Sequence, residues 1–215
     1  MQNKENLSLK ETTDGGTTLY SAAFDQYYHS IFGPKQESDC VFIDLGLAYA
    51  FEQFTETNIL EMGFGTGFNA LLTAKEALLK QKKVSYTGLE AYPITAEVAK
   101  QIEADLEPLH LYNWDEVHVL SSYFSFQKIH TSLQDFQTTQ KFNLVYYDAF
   151  APSSQPELWT LDIFEKLAGM MEKGGILTTY CSKSYVQRNL RSAGFLVEKH
   201  PGPYRKREIL RAIKA

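Results

Sequence analysis

The chain has 215 residues, 44% of them apolar, and a formal net charge of −5, which suits one large α/β domain or two small ones. No run of 18 apolar residues occurs, which excludes a membrane-spanning helix, and the start "MQNKENLSLKETTDGG" lacks the apolar stretch of a signal peptide. Cys40 and Cys181 have no CxxC partner, so neither a disulfide framework nor a zinc site is expected and a reducing, cytoplasmic setting is the default.

Residues 1–57 read as an N-terminal extension packed on the core. "TTDGGTTLYS" predicts a hairpin, followed by an aromatic cluster, a Gly33-Pro34 break and an apolar run at 41–47. From Asn58 the pattern becomes regular, and 58–215 reads as one domain. "NILEMGFG" is a short apolar strand ending in glycines, and "FNALLTAKEALLKQ" has helical spacing. "VSYTGLEAYP" predicts a second strand, ending at Glu90. "ITAEVAKQIEADL" predicts a helix, "EVHVLSS" a third strand and "FNLVYYDAF" a fourth. "PELWTLDIFEKLAGMMEKGG" predicts a helix terminated by Gly174-Gly175. "ILTTYC" is a fifth strand and "SKSYVQRNLRSAG" a helix. "FLVEKH" and "EILRAIK" close the chain as two strands joined by "PGPYRKR". Strands alternating with helices mean a mostly parallel sheet covered on both faces. The expected fold is Rossmann-like α/β, with seven strands and an antiparallel edge.

"EMGFGTGFN" is the strongest motif. Gly63, Gly65 and Gly67 lie between the first strand of the domain and its helix. Glycines there permit a tight turn and close approach of a ligand to the backbone. Phe68 stands where the dinucleotide pattern G-x-G-x-x-G needs its last glycine, and no Gly-Lys-Ser/Thr follows for a P-loop. Glu61, just ahead of the loop, would repel a pyrophosphate but suits a cation. S-adenosylmethionine carries an ammonium and a sulfonium. Glu90, at the end of the second strand, can accept both ribose hydroxyls. Glu61, the three glycines and Glu90 are therefore the predicted cofactor contacts.

Asp148 ends an apolar strand and is followed by Phe150 and Pro152. It either caps the next helix or faces a substrate. In an open parallel sheet, ligands bind at the carboxyl ends of strands where strand order reverses. That rule sets Asp148 beside the glycine loop, as a catalytic and cofactor-contacting residue. The charge is uneven along the chain. Residues 183–215 carry nine basic and two acidic residues, a balance of +7, which leaves −12 for the rest. Such a split is either a solvated face or the footprint of a polyanion.

Taken together, "EMGFGTGFNAL" (61–71), "YYDAFAPSSQPELWT" (146–160), "GGILTTYCSKSYVQRNLRSAGF" (174–195), "GPYRKREILRA" (202–212) and the upstream "YSAAFDQYYHSIFGPKQESDCVFIDLGL" (20–47) carry a resemblance. The chain resembles the methyltransferase part of the tRNA 5-methylaminomethyl-2-thiouridine biosynthesis enzymes, the MnmC/MnmD family, over nearly its whole length. The resemblance implies S-adenosylmethionine-dependent methylation of the 5-aminomethyl group of 5-aminomethyl-2-thiouridine at the tRNA wobble position. Family members are often fused to an oxidase that makes the amine. This chain would be a stand-alone form, with a separate enzyme supplying the aminomethyl intermediate. The family often has an acid after the third strand, where this chain has Ser121 and Ser122, which leaves its adenine contact open.

For a substrate in the tRNA anticodon loop, bases splayed onto aromatic planes are the expected mode of recognition. Phe150, Trp159, Tyr185 and Tyr204 are candidate platforms, and Arg205, Lys206 and Arg207 candidate phosphate contacts. The rival readings are a polyamine-type transferase, which a basic tail would repel, and a non-catalytic cofactor-binding module. Replacing Arg205, Lys206 and Arg207 together by Ala is expected to weaken tRNA binding and to flatten its log–log salt dependence by up to about three units. Filter binding across a salt series checks this, and an unchanged slope would reduce the three residues to surface charge.

Overall fold

A computed structural model describes residues 7–203 and 208–215. Strands β1 (Leu7–Glu11), β2 (Thr17–Ser21) and β3 (Gln26–Tyr27) form a small antiparallel sheet, with β1 and β2 joined by the predicted turn. A helical stretch follows as α1 (Pro34–Ser38), a π-helix (Asp39–Ala48) and α2 (Tyr49–Gln53). The apolar run at 41–47 is this π-helix. It lies on the main sheet so closely that a Cβ on Gly46 would sit 3.2 Å from Thr178.

The main sheet contains β4 (Glu56–Met62), β5 (Lys83–Glu90), β6 (Val117–Ser121), β7 (Phe124–His130), β8 (Phe142–Tyr147), β9 (Met171–Thr179), β10 (Phe195–Pro201) and β11 (Glu208–Lys214). Its helices are α3 (Phe68–Lys80), α4 (Ala96–Ile102), α5 (Glu107–Leu111), α6 (Leu161–Met170) and α7 (Ser184–Ser192). The strand order is β10-β11-β9-β8-β4-β5-β7-β6. The five strands from β9 to β7 are parallel, and both edges are antiparallel. Every residue of β8 is buried, as expected for a parallel strand covered on both faces. One core packs α3 and the π-helix on one face, and a second packs α6 and α7 on the other.

Two sequence expectations need correction. The sheet has eight strands, because Phe124–His130 is a strand and "EVHVLSS" is only its antiparallel edge partner. The inward positions of β7 are Phe124, Phe126 and Lys128, and a buried lysine disguises the alternation. Lys128 Nζ donates to the His110 carbonyl at 2.7 Å and lies 4.6 Å from the Trp114 ring centre. These partners make its burial tolerable, and desolvation still lowers its pKa to about 8. Ser121 and Ser122 consequently form the β6–β7 hairpin turn at the amino end of the parallel strands, away from the ligand edge. The turn that follows the third parallel strand begins after His130.

The second correction concerns 156–175. A 3₁₀ turn (Pro156–Trp159) precedes α6, which stops at Met170, and β9 already runs from Met171. Gly174 and Gly175 sit inside this strand, at a shift in its register with β8, and Gly174 has φ +76°. They permit a bulge and do not terminate a helix.

Beyond the backbone ladder, β4 and β8 are stitched by Asn143. Its Oδ1 accepts from the Asn58 N–H at 2.8 Å, and its Nδ2 donates to the Glu56 carbonyl at 3.0 Å. Asn143→Ala should cost about 1–3 kcal/mol through backbone groups left unpaired. Urea denaturation reads this, and an unchanged midpoint would show that water replaces the amide.

Candidate active site

The chain leaves β4, crosses to β5 and β7, and returns on the other side as β8 and β9. The crevice therefore opens at the carboxyl ends of β4 and β8. Gly63, Gly65 and Gly67 all have positive φ (+89°, +52° and +81°). At Gly63 a Cβ would lie 2.8 Å from the Asp148 carbonyl oxygen, so the loop passes the end of β8 only as glycine. The Gly63 and Phe64 amides both donate to the Leu89 carbonyl, and the Asp148 amide donates to Met62. The loop is thus tied to both neighbouring strands.

Three carboxylates converge there. Glu90 is buried, and its two oxygens accept from the Gly65 N–H at 2.7 Å and the Tyr92 N–H at 2.8 Å. Glu61 is 1% exposed. The Asn69 side-chain amide donates to Glu61 Oε1 at 2.9 Å and to Asp148 Oδ2 at 3.0 Å, joining the two acids. Glu61 Oε2 and Asn69 Oδ1 are buried without a hydrogen-bond partner. The Tyr86 hydroxyl near Glu61 also lacks a bond of good geometry, although it still favours the charged carboxylate.

Burial dominates the electrostatics. It raises Glu61 to about 8, against the pull of Tyr86 and Asn69. Asp148 is pushed well above the ordinary range by burial first and by the Glu61 charge second, with Asn69 opposing. Glu90 is also raised by burial, which the N–H donors of Tyr92 and Gly65 oppose. Buried acids with no lysine or arginine among their described partners favour a cationic ligand.

Glu90 and Asp148 line a pocket together with Asn69, Tyr28, His29, Thr66 and Gln155, and Glu61 lies buried behind Asn69. His29 comes from the N-terminal segment and bonds the Thr66 hydroxyl at 2.6 Å. Phe150 forms the outer wall, braced by Phe24 at 4.9 Å and Tyr28 at 5.2 Å between ring centres. Of the predicted cofactor residues, Gly63, Gly65, Glu90 and Asp148 line this pocket, whereas Glu61 lies behind it and Gly67 packs against Phe64. The capping alternative for Asp148 fails, because the next helical turn starts only at Pro156.

Trp159 is no base platform. It is fully buried and donates from Nε1 to the Phe150 carbonyl at 2.9 Å, which fixes the loop carrying Phe150. Tyr185 is 36% exposed, on a separate groove. Tyr204, Arg205, Lys206 and Arg207 lie outside the described residues. Sequence reasoning missed Asn69, Tyr28 and His29. The Asn at the second position of the helix after the glycine loop was the available signal for Asn69.

The residues fit S-adenosylmethionine. Glu90 retains lone pairs for two hydroxyls, and Asp148 and Glu90, which line the pocket, suit a ligand carrying an ammonium and a sulfonium. Among the described residues there is no metal-binding cluster, and no helix is long and apolar enough to cross a membrane.

Comparison with known proteins places the chain in a methyltransferase family. Residues 93–215 match a family of S-adenosyl-L-methionine-dependent methyltransferases. The chain is 31% identical over 230 residues to the tRNA 5-methylaminomethyl-2-thiouridine biosynthesis bifunctional protein MnmC of Pseudoalteromonas atlantica, covering 92% of this chain and 32% of that protein. The chain thus spans about a third of the length of the curated relatives it matches. MnmC2 from Aquifex aeolicus superposes with a TM-score of 0.78 at 25% identity, covering 96% of this chain and 70% of that one. Spermidine synthase from Thermotoga maritima superposes at 0.65 with 12% identity, covering 97% and 68%, a likeness of fold alone.

Glu61 gives a test of the electrostatics. Between the ordinary carboxylate range and about pH 8, the folded protein holds a proton on Glu61 that the unfolded chain releases. The stability this contributes is complete at low pH and is lost as pH rises through the folded pKa, at about 1.4 kcal/mol per pH unit per proton. Ligand-free protein should therefore lose stability from about pH 5 to about pH 8, and Glu61→Gln should make that slope shallower. Denaturation at several pH values checks this, and equal slopes would mean that Glu61 is ionised in the fold.

Proposed function

Because this chain belongs to the family of S-adenosyl-L-methionine-dependent methyltransferases, we propose that it methylates the primary amine of 5-aminomethyl-2-thiouridine at the wobble position of tRNA. The observation that carries this reading is the position of Asp148, at the inner end of the acceptor side and joined through Asn69 to the cofactor-side Glu61. The names of the curated relatives supply the acceptor. The acidic, cation-seeking pocket supports it independently. The same reading divides the chain into an extension, 1–57, and a methyltransferase domain, 58–215. It also requires another enzyme to make the aminomethyl group.

When bound, S-adenosylmethionine supplies a methyl group on a positively charged sulfur. The acceptor amine must present a lone pair in line with that methyl carbon, and an alkylammonium has none. Asp148 holds the amine by accepting a hydrogen bond from it, and its negative charge stabilises the cation that forms on nitrogen. An exposed Asp is too weak a base to take much part in proton removal. Burial lifts the pKa of Asp148, so it accepts a proton more readily than an exposed carboxylate. Asn69 fixes the carboxylate plane, and Phe150 closes the wall beside it.

Asp148→Asn keeps the shape and the contact with Asn69 but removes the charge. Folding and cofactor binding should survive, and single-turnover methyl transfer to aminomethyl-bearing tRNA should fall by roughly 10²–10⁴. A folded variant with a near wild-type rate would make Asp148 structural.

A further inference from the structure

On the far side of Asp148 lies a second, more open cavity. It meets the first across Tyr28, His29, Asp148, Ala149 and Phe150. Most of its wall comes from residues 25–42, not from the methyltransferase sheet. Tyr27 and Phe32 present aromatic surface there, 40% and 36% exposed, and Tyr27 is braced by Tyr20 with ring centres 5.1 Å apart. Asp25, Glu37 and Asp148 also line it, with no Lys or Arg among the described lining residues. His29 is held neutral by burial, its pKa lowered to about 4.

Beyond Tyr180 the character changes. Tyr180 is shared with an open groove lined by Lys183, Tyr185, Arg188 and Glu208. Lys183 and Arg188 are exposed, and Glu208 is already paired with Lys199 at 3.0 Å. An acidic, aromatic chamber thus opens onto a basic rim.

We propose that residues 25–32 form the acceptor-base pocket and the Lys183–Arg188 groove its phosphate rim, so that the N-terminal segment selects a planar base bearing an amine on a polynucleotide. The proposal rests on the methyl-transfer reading above and assigns its specificity. The polarity matches a ligand that is cationic at its tip and anionic behind. The amine would enter toward Asp148, the base would lie against Tyr27 and Phe32, and the adjoining backbone would cross Lys183 and Arg188. A polyamine is cationic along its whole length, and the rim would repel it.

The test measures kcat/KM for tRNA carrying the aminomethyl base across a salt series, with cofactor affinity by calorimetry for each variant. The double variant Tyr27→Ala, Phe32→Ala should lose at least about tenfold in kcat/KM with an unchanged salt slope. Tyr27→Phe should retain activity. Lys183→Ala with Arg188→Ala should flatten the salt slope by about 1.4, the value for two single-strand phosphate contacts. All should bind S-adenosylmethionine as the wild type does. Wild-type kcat/KM in the aromatic variant would overturn the base pocket, and an unchanged slope in the basic variant would overturn the rim. Failure of the wild type to methylate this tRNA would instead overturn the functional reading itself.

Discussion

One side-chain amide holds the centre of this molecule together. Asn69 donates to Glu61 on one side and Asp148 on the other, so a single group sets the spacing between the two acids. The sheet makes this possible. β4 and β8 are adjacent and parallel, so Glu61 near the end of one and Asp148 just past the end of the other face the same helix start. The cost is two buried acids without a cation, and the raised pKa values of Glu61 and Asp148 express it. A pocket of this kind is least satisfied when empty. A ligand with ammonium and sulfonium groups supplies the missing charge.

The sequence made much of this legible, for definite reasons. Strand β8 is apolar apart from Asn143 and stops at an acid, and glycines stand at alternate positions of the loop. Backbone at positive φ is nearly reserved for glycine, so the loop could be read directly. The charged ends of β4 and β5 gave Glu61 and Glu90. What stayed hidden depended on pairing in three dimensions. Lys128 looks like a solvated residue, yet it is buried against Trp114 and the His110 carbonyl, so β7 went unseen. Trp159 looks like a platform but serves as a strut beneath Phe150. The contribution of Tyr28 and His29 was illegible because nothing local says that the N-terminal segment folds over the glycine loop, where Tyr28 lies 3.3 Å from the place a Cβ on Gly65 would take.

The N-terminal segment also distinguishes this protein's surface from the bare sheet and helices. The aromatic and acidic residues of 25–32 line the cavity on the far side of Asp148, and Lys183 and Arg188 stand beyond them. On the proposed reading, chemistry and selection are thereby separated. The ends of β4, β5 and β8 place Glu61, Glu90 and Asp148, and the segment ahead of them walls the cavity on the far side of Asp148.

The most direct measurement of the central claim is nucleoside mass spectrometry of tRNA bearing 5-aminomethyl-2-thiouridine, after incubation with the wild-type protein and methyl-labelled S-adenosylmethionine, beside parallel incubations with polyamines. The account predicts label in one nucleoside, the secondary amine formed from the aminomethyl base, and none in the polyamines. Label in the polyamines, or an aminomethyl nucleoside that remains unmethylated, would contradict it.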